Sequence, residues 1–183
     1  MREKKLSGKQ IYKGRTVSLR VDEIEINGKK SVREVVVHPG SAVIIPVLSF
    51  KPLKIILIRQ YRYAAGKVMI ELPAGTREKN ETAYACAVRE IEEETGCKAS
   101  RMKRIGTYYP APGALTEVMG LFLAWNLTKT SQETDFDESI EPFAVTLKKA
   151  VKMVIGGKIC DGKTSHGILL LDALVREKKF PPK

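Results

Sequence analysis

Between Arg89 and Gly96 the chain reads REIEEETG, five charged residues in eight, four of them glutamates. At about 100° per residue, a helix places Glu90, Glu93 and Glu94 within one arc about 100° wide and leaves Glu92 on the far side with solvent. Carboxylates gathered on one face repel one another, so solvent or a cation must offset the cost. In a chain of formal net charge +11 the gathering asks for a cause. A hard divalent cation such as Mg²⁺ takes oxygen ligands, and Asp and Glu supply the charged ones. Two glutamates at i, i+4 can share one ion or bridge two. Arg89 stands at i, i+4 from Glu93, where its guanidinium can orient one carboxylate while the others bind metal. Ala83 and Cys86 lie on the same face and are small enough to admit an ion or another chain segment. Tyr84, Val88 and Ile91 form an apolar stripe expected to face the core.

The elements that must position this face follow from periodicity and punctuation. Residues 81–95 have helical composition, and Gly96 stops the helix. Upstream, residues 41–50 and 53–61 are β-branched runs expected to be buried strands. Leu72-Pro73-Ala74-Gly75 reads as a turn. Downstream, residues 102–109 and 117–125 read as strands, separated by the Pro- and Gly-broken PAPGAL. An acidic loop follows, with Glu133, Asp135, Asp137, Glu138 and Glu141. Residues 142–147 are then a strand, residues 147–155 a helix closed by Gly156-Gly157, and about 164–178 an amphipathic helix. Alternating strands and helices in this mixed order predict an α/β architecture, with helices sandwiching a mixed sheet. At the N-terminus, residues 16–26 show strand periodicity with one slip in phase. Asn27-Gly28 turns the chain, and SVREVVVH returns. Residues 1–40 are therefore expected to form an antiparallel β arm, too small to stand alone, beside a main domain over residues 41–183.

Gly75, five residues, Glu81, seven residues, then REIEEETGC together resemble the Nudix box in full, from Gly75 to Cys97. At least eight positions are constrained, which makes the signal specific. The resemblance implies a Nudix hydrolase with an α/β/α sandwich, whose loop-helix-loop binds Mg²⁺ or Mn²⁺ at a nucleoside diphosphate. It implies Glu90 and Glu94 as principal metal ligands, Glu93 as an auxiliary one and the Ala74 carbonyl as a further ligand. Gly75 would let backbone approach the ion, and Arg89 would pair with Glu81 or Glu93.

Residues 11–171 also resemble the ADP-ribose pyrophosphatase subfamily. The resemblance lies in Pro112 within YYPAPGALTE, 15 residues beyond Cys97, in RQYRYAAGKVMIELPAG upstream and in GGKICDGKTSHGILLL downstream. This implies hydrolysis of ADP-ribose to AMP and ribose 5-phosphate. It implies Arg62 and Glu117 as contacts to phosphate and ribose, and Arg33 as a contact to the adenosine half across a homodimer. The general base would come from the acidic loop. There the chain reads DFDESIE, with Phe136 where the subfamily has an acid, so Glu138, with Asp137 as substitute, is the expected base.

Composition bounds the alternatives. The 43% hydrophobic and 29% charged content belongs to an ordinary globular protein. No apolar run approaches the ~18 residues of a membrane span, and the N-terminus lacks the apolar segment of a signal peptide. Three cysteines without a CxxC suit a reducing cytoplasm, and two histidines exclude a His-rich metal site. The excess of Lys and Arg points to an anionic partner, nucleic acid or a phosphorylated small molecule. With 7% aromatics and one Trp the chain lacks the stacking platforms of an RNA binder. The rival readings are a Nudix hydrolase of another nucleotide derivative, such as a nucleotide sugar or dinucleoside polyphosphate, and a nucleotide- or RNA-binding protein of this fold without turnover.

Overall fold

A computed structural model describes residues 2–130 and 139–180. Three strands form the N-terminal sheet in the order β1 (Lys4–Lys13), β2 (Ser18–Ile26), β3 (Lys29–Val37), all antiparallel. The arm was expected as a hairpin of two strands. The added strand, KKLSGKQIYK, has no alternating apolar face, because all ten residues are exposed and only pairing to β2 holds them. The phase slip in β2 is not a bulge, since its ladder to β3 runs without interruption. Instead the apolar residues change faces at Asp22, which is buried and bound by Lys5 and Arg20 at 2.7 and 2.8 Å.

The main sheet contains β4 (Ser41–Phe50), β5 (Leu53–Arg62), β6 (Lys67–Glu71), β7 (Ala74–Thr76), α1 (Ala83–Thr95) laid over it, then β8 (Cys97–Tyr108), β9 (Met119–Lys129) and β10 (Ile140–Thr146). Its central order is β10-β5-β4-β9-β8, with β6 on β5 and β7 on β4. β4 and β9 pair in parallel and the other ladders of this sheet are antiparallel, so the sheet is mixed as expected. The segment expected as a turn before the box is corrected: Ala74-Gly75-Thr76 is a short strand on Ser41–Val43 of β4. The ladder sets Gly75 opposite Ala42 and so fixes it against the sheet.

Period-two alternation divides the core into two layers. On β4, Ala42 and Ile44 face one side with Phe122 and Ala124 of β9, and α1 covers them with Cys86, Ala87 and Ile91. Val43 and Ile45, with Leu121 and Leu123, face the other side. There α2 (Leu147–Ile155) and α3 (Gly162–Arg176) cover them through Leu147, Ala150, Ile168 and Leu171. Both faces of the central strands are dry, which is why they read as continuous apolar runs. The result is the expected α/β/α sandwich. Among the described residues no helix is long and apolar enough to cross a membrane.

Candidate active site

Helix α1 begins where the Thr82 hydroxyl accepts the Ala85 N–H at 3.1 Å, an N-cap. It ends at Gly96, whose φ of 62° is a left-handed C-cap that glycine adopts without strain. Its inward stripe differs from the expected one. Ile91 is buried, but Tyr84 and Val88 are exposed, and the stripe is made instead by Cys86, Ala87, Ile91 and the acids Glu90 and Glu94. The small residues let α1 lie close to the sheet, and that closeness carries the carboxylate face inward with them.

Glu90 therefore meets backbone. A Cβ added at Gly75 would stand 1.6 Å from its Oε1 and 1.9 Å from its Cδ, so only glycine fits there. Glu94 accepts the Ala74 N–H on Oε2 at 2.9 Å. Arg89 gathers the rest of the face. Its guanidinium reaches Glu81 at 3.1 Å, Glu90 at 2.7 Å and Glu93 at 2.8 Å. Both expected partners, Glu81 and Glu93, are thus engaged together, with Glu90 added. Burial works against the charge on Arg89, but the three carboxylates outweigh it and hold the guanidinium firmly protonated. The hydrogen bond from Arg89 keeps the Glu81 carboxyl below its usual range. Cys86, buried beside Glu90 and Glu81, has its thiol pushed up to about 12, chiefly by burial.

These residues open on a cavity of about 960 Å³, lined by Glu90, Glu93 and Arg89 on the α1 side and by Arg62, Glu117 and Lys163 among others. Arg62 is fixed by two parallel bonds to buried Glu71, at 2.8 and 2.7 Å. Glu117 is buried too; it accepts the Ser41 hydroxyl at 2.7 Å, and His38 Nδ1 stands 3.6 Å from it. The end of β1 and the turn after it contribute Lys13 and Arg15 to the lining.

Arg33 is not brought to this cavity. It projects from β3 and pairs with Glu3 of the arm at 2.6 Å. Glu138 and Asp137 lie outside the described residues; of that acidic loop, Glu141 is placed, exposed and paired with Arg59 at 2.9 Å. Glu71, Lys163, His38 and Ser41 are site residues that periodicity did not single out. The signal available for two of them was a charge at the edge of an apolar run, Glu71 before LPAG and Lys163 before an amphipathic helix.

The NUDIX domain model matches residues 38–158. The chain belongs to the Nudix family. It is 37% identical over 174 residues, 93% of each chain, to a Bacillus subtilis (strain 168) protein named ADP-ribose pyrophosphatase. It is 36% identical over 165 residues, 88% of each chain, to the methanol dehydrogenase activator of Bacillus methanolicus. Among solved structures, one described as ADP compounds hydrolase superposes with a TM-score of 0.85 over 97% of this chain and 96% of that one, at 20% identity, a match of fold. The acidic helix and its glycine strand are thus the Nudix box, seen here as an interlocked unit of Gly75, Glu90 and Glu94.

The box fits a divalent ion by its chemistry. Its donors are hard oxygens on Glu90, Glu93 and Glu94, and the Glu90 carboxylate occupies the space that a Cβ on Gly75 would take, which seats it against the backbone. Among the described residues no three such side chains are already gathered as a metal cage, because Glu81, Glu90 and Glu93 converge on Arg89. An ion at this face would have to take carboxylates that the Arg89 guanidinium holds.

Proposed function

We propose that the protein is a Nudix pyrophosphohydrolase that cleaves the diphosphate linkage of ADP-ribose, giving AMP and ribose 5-phosphate, with Mg²⁺ or Mn²⁺. One observation carries the reading: a single cavity has an acidic wall, Glu90 and Glu93, and a cationic one, Arg62 and Lys163. Acid suits divalent metal, and cations suit a diphosphate. The extended similarity to a protein named ADP-ribose pyrophosphatase supports the choice of substrate.

A bound divalent ion would neutralise diphosphate charge and supply an acidified water. The chain's own residues do the remaining work. Arg62, locked by Glu71, offers a planar donor set matched to phosphate oxygens. Glu117, held by Ser41, offers a carboxylate acceptor suited to a ribose hydroxyl. Arg89 keeps Glu81, Glu90 and Glu93 oriented against their mutual repulsion. Glu94, tied to the Ala74 N–H, and the Ala74 carbonyl complete the proposed ligand set. Glu138, or Asp137 in its place, would take the proton of the attacking water. A homodimer would bring Arg33 of one arm toward the adenosine half in the neighbouring subunit. Three free cysteines agree with a reducing compartment such as the cytoplasm.

The test is AMP release from ADP-ribose with Mg²⁺ and with chelator, repeated in heavy-oxygen water to locate the attacked phosphorus. AMP formed only with metal is expected; no turnover with either Mg²⁺ or Mn²⁺ would overturn the reading. Added Mg²⁺ should also raise the melting temperature, and Glu94→Gln should remove most of that rise.

A further inference from the structure

Lys163 sits in the first turn of α3, 92 positions from the residue it binds. Its ammonium contacts Glu71 and stands 3.0 Å from Asp161. The position is held on three sides. Asp161 caps α3 by accepting the Thr164 N–H at 3.0 Å and the Thr164 hydroxyl at 2.5 Å. The same hydroxyl accepts the Leu72 N–H at 2.7 Å, joining the helix to the residue after Glu71. Farther along, α3 presents Gly167 to Leu72, where an added Cβ would stand 2.6 Å from the leucine Cδ1. The first turn of α3 is thereby clamped to the strand that ends in Glu71.

Charge explains what the clamp achieves. Glu71 is fully buried and lies behind Arg62, whose side chain is 36% exposed at the cavity. Taken alone, that carboxylate would cancel the field Arg62 presents to an anion. Lys163 supplies a second cation to Glu71 and itself lines the cavity. The Asp161 charge is offset in turn by the positive end of α3. Burial raises the Glu71 carboxyl, but Arg62 and Lys163 together outweigh it and keep it below its usual range.

We infer that Lys163 is a positioning residue for the substrate's diphosphate: by compensating buried Glu71 it leaves Arg62 oriented and net positive toward the cavity. This rests on reading the cavity as a nucleoside diphosphate site. A salt link of purely structural value would give Tm and leave recognition alone; this one sits where recognition is decided.

The probe is ADP, titrated by calorimetry in chelator so that turnover plays no part, alongside KM and kcat for ADP-ribose with Mg²⁺. Lys163→Met should weaken ADP binding about tenfold and raise KM by a similar factor while kcat changes less. Lys163→Arg should restore both to within about threefold, since the charge returns. In a Glu71→Gln background the acid to be compensated is gone, so Lys163→Met should weaken ADP binding by a clearly smaller factor, about threefold or less, the share left to a cation that lines the cavity. That background also decides the matter if the single variant does not fold. Wild-type affinity in Lys163→Met with only a lower melting temperature overturns the inference, as does an undiminished effect in Glu71→Gln. ADP binding without ADP-ribose hydrolysis would instead sink the proposed reaction and leave Lys163 standing. No ADP binding by the wild type sinks both.

Discussion

At the scale of single residues the site is governed by one missing side chain. Gly75 has no backbone angle that demands glycine; it is required because Glu90 fills the space its Cβ would occupy. Gly75→Ala must displace the Glu90 carboxylate by more than an ångström, and displacements of that size cost about a hundredfold in rate. Overpacking adds a stability loss of about 1–3 kcal/mol. We expect kcat for ADP-ribose to fall by about that factor, with a modest drop in melting temperature. Activity within about threefold of wild type would show that Glu90 can work from another position. The box spacing marked Gly75 directly, but the reason for it became visible only with α1 seated on β7.

At the scale of elements, α1 faces inward by its acids and small residues, and the apolar wheel misjudged it. Val88 and Tyr84 were expected in the core because apolar side chains usually define the buried stripe. Here the neighbour is a strand whose backbone must come near the carboxylates, and Ala87 and Cys86 permit that approach where Tyr84 would block it. The same logic governs the link between α3 and β6. Glu71 has its carboxyl held low in the fold, so it binds fewer protons there than in the unfolded chain. Its contribution to stability is present above the ordinary carboxylate range and fades as pH falls through the lowered folded value. Glu71→Gln should therefore cost about 3 kcal/mol at pH 7 by stranding its partners. That difference should shrink as the medium is taken below about pH 4, the usual carboxylate range. Denaturant melts of both proteins across that window provide the check, and a difference that stays constant into acid would assign the loss to packing.

At the scale of the molecule, the arm is an unfinished element. All of β1 is exposed, including Leu6, Ile11 and Tyr12, and few backbone bonds join the three strands to the body, such as Val36 N–H to Ala114 at 2.8 Å and Thr116 N–H to Val36 at 3.0 Å. A three-stranded sheet with so bare an outer strand is stabilised by covering it. Light scattering should give the mass of two chains, and replacing Leu6, Ile11 and Tyr12 by Ser should shift the protein toward one. A wild-type mass of one chain across the accessible concentration range would remove Arg33 from the proposed site. Much of this architecture is legible in the chain. The β-branched apolar runs at residues 41–50 and 53–61, the cap at Gly96 and the carboxylate arc at Glu90, Glu93 and Glu94 are local patterns, set by neighbours within a few positions. The added strand β1 was not legible, because a strand held only by its ladder carries no apolar rhythm. Nor was the place of Lys163 beside Arg62 in the cationic wall, since Lys163 meets Glu71 across 92 positions and nothing within either segment specifies the other. Short-range sterics and amphipathicity determined where the acids would cluster. Only the tertiary structure decided which backbone they press against and which cations they face, because those contacts form when distant strands and helices close on one core.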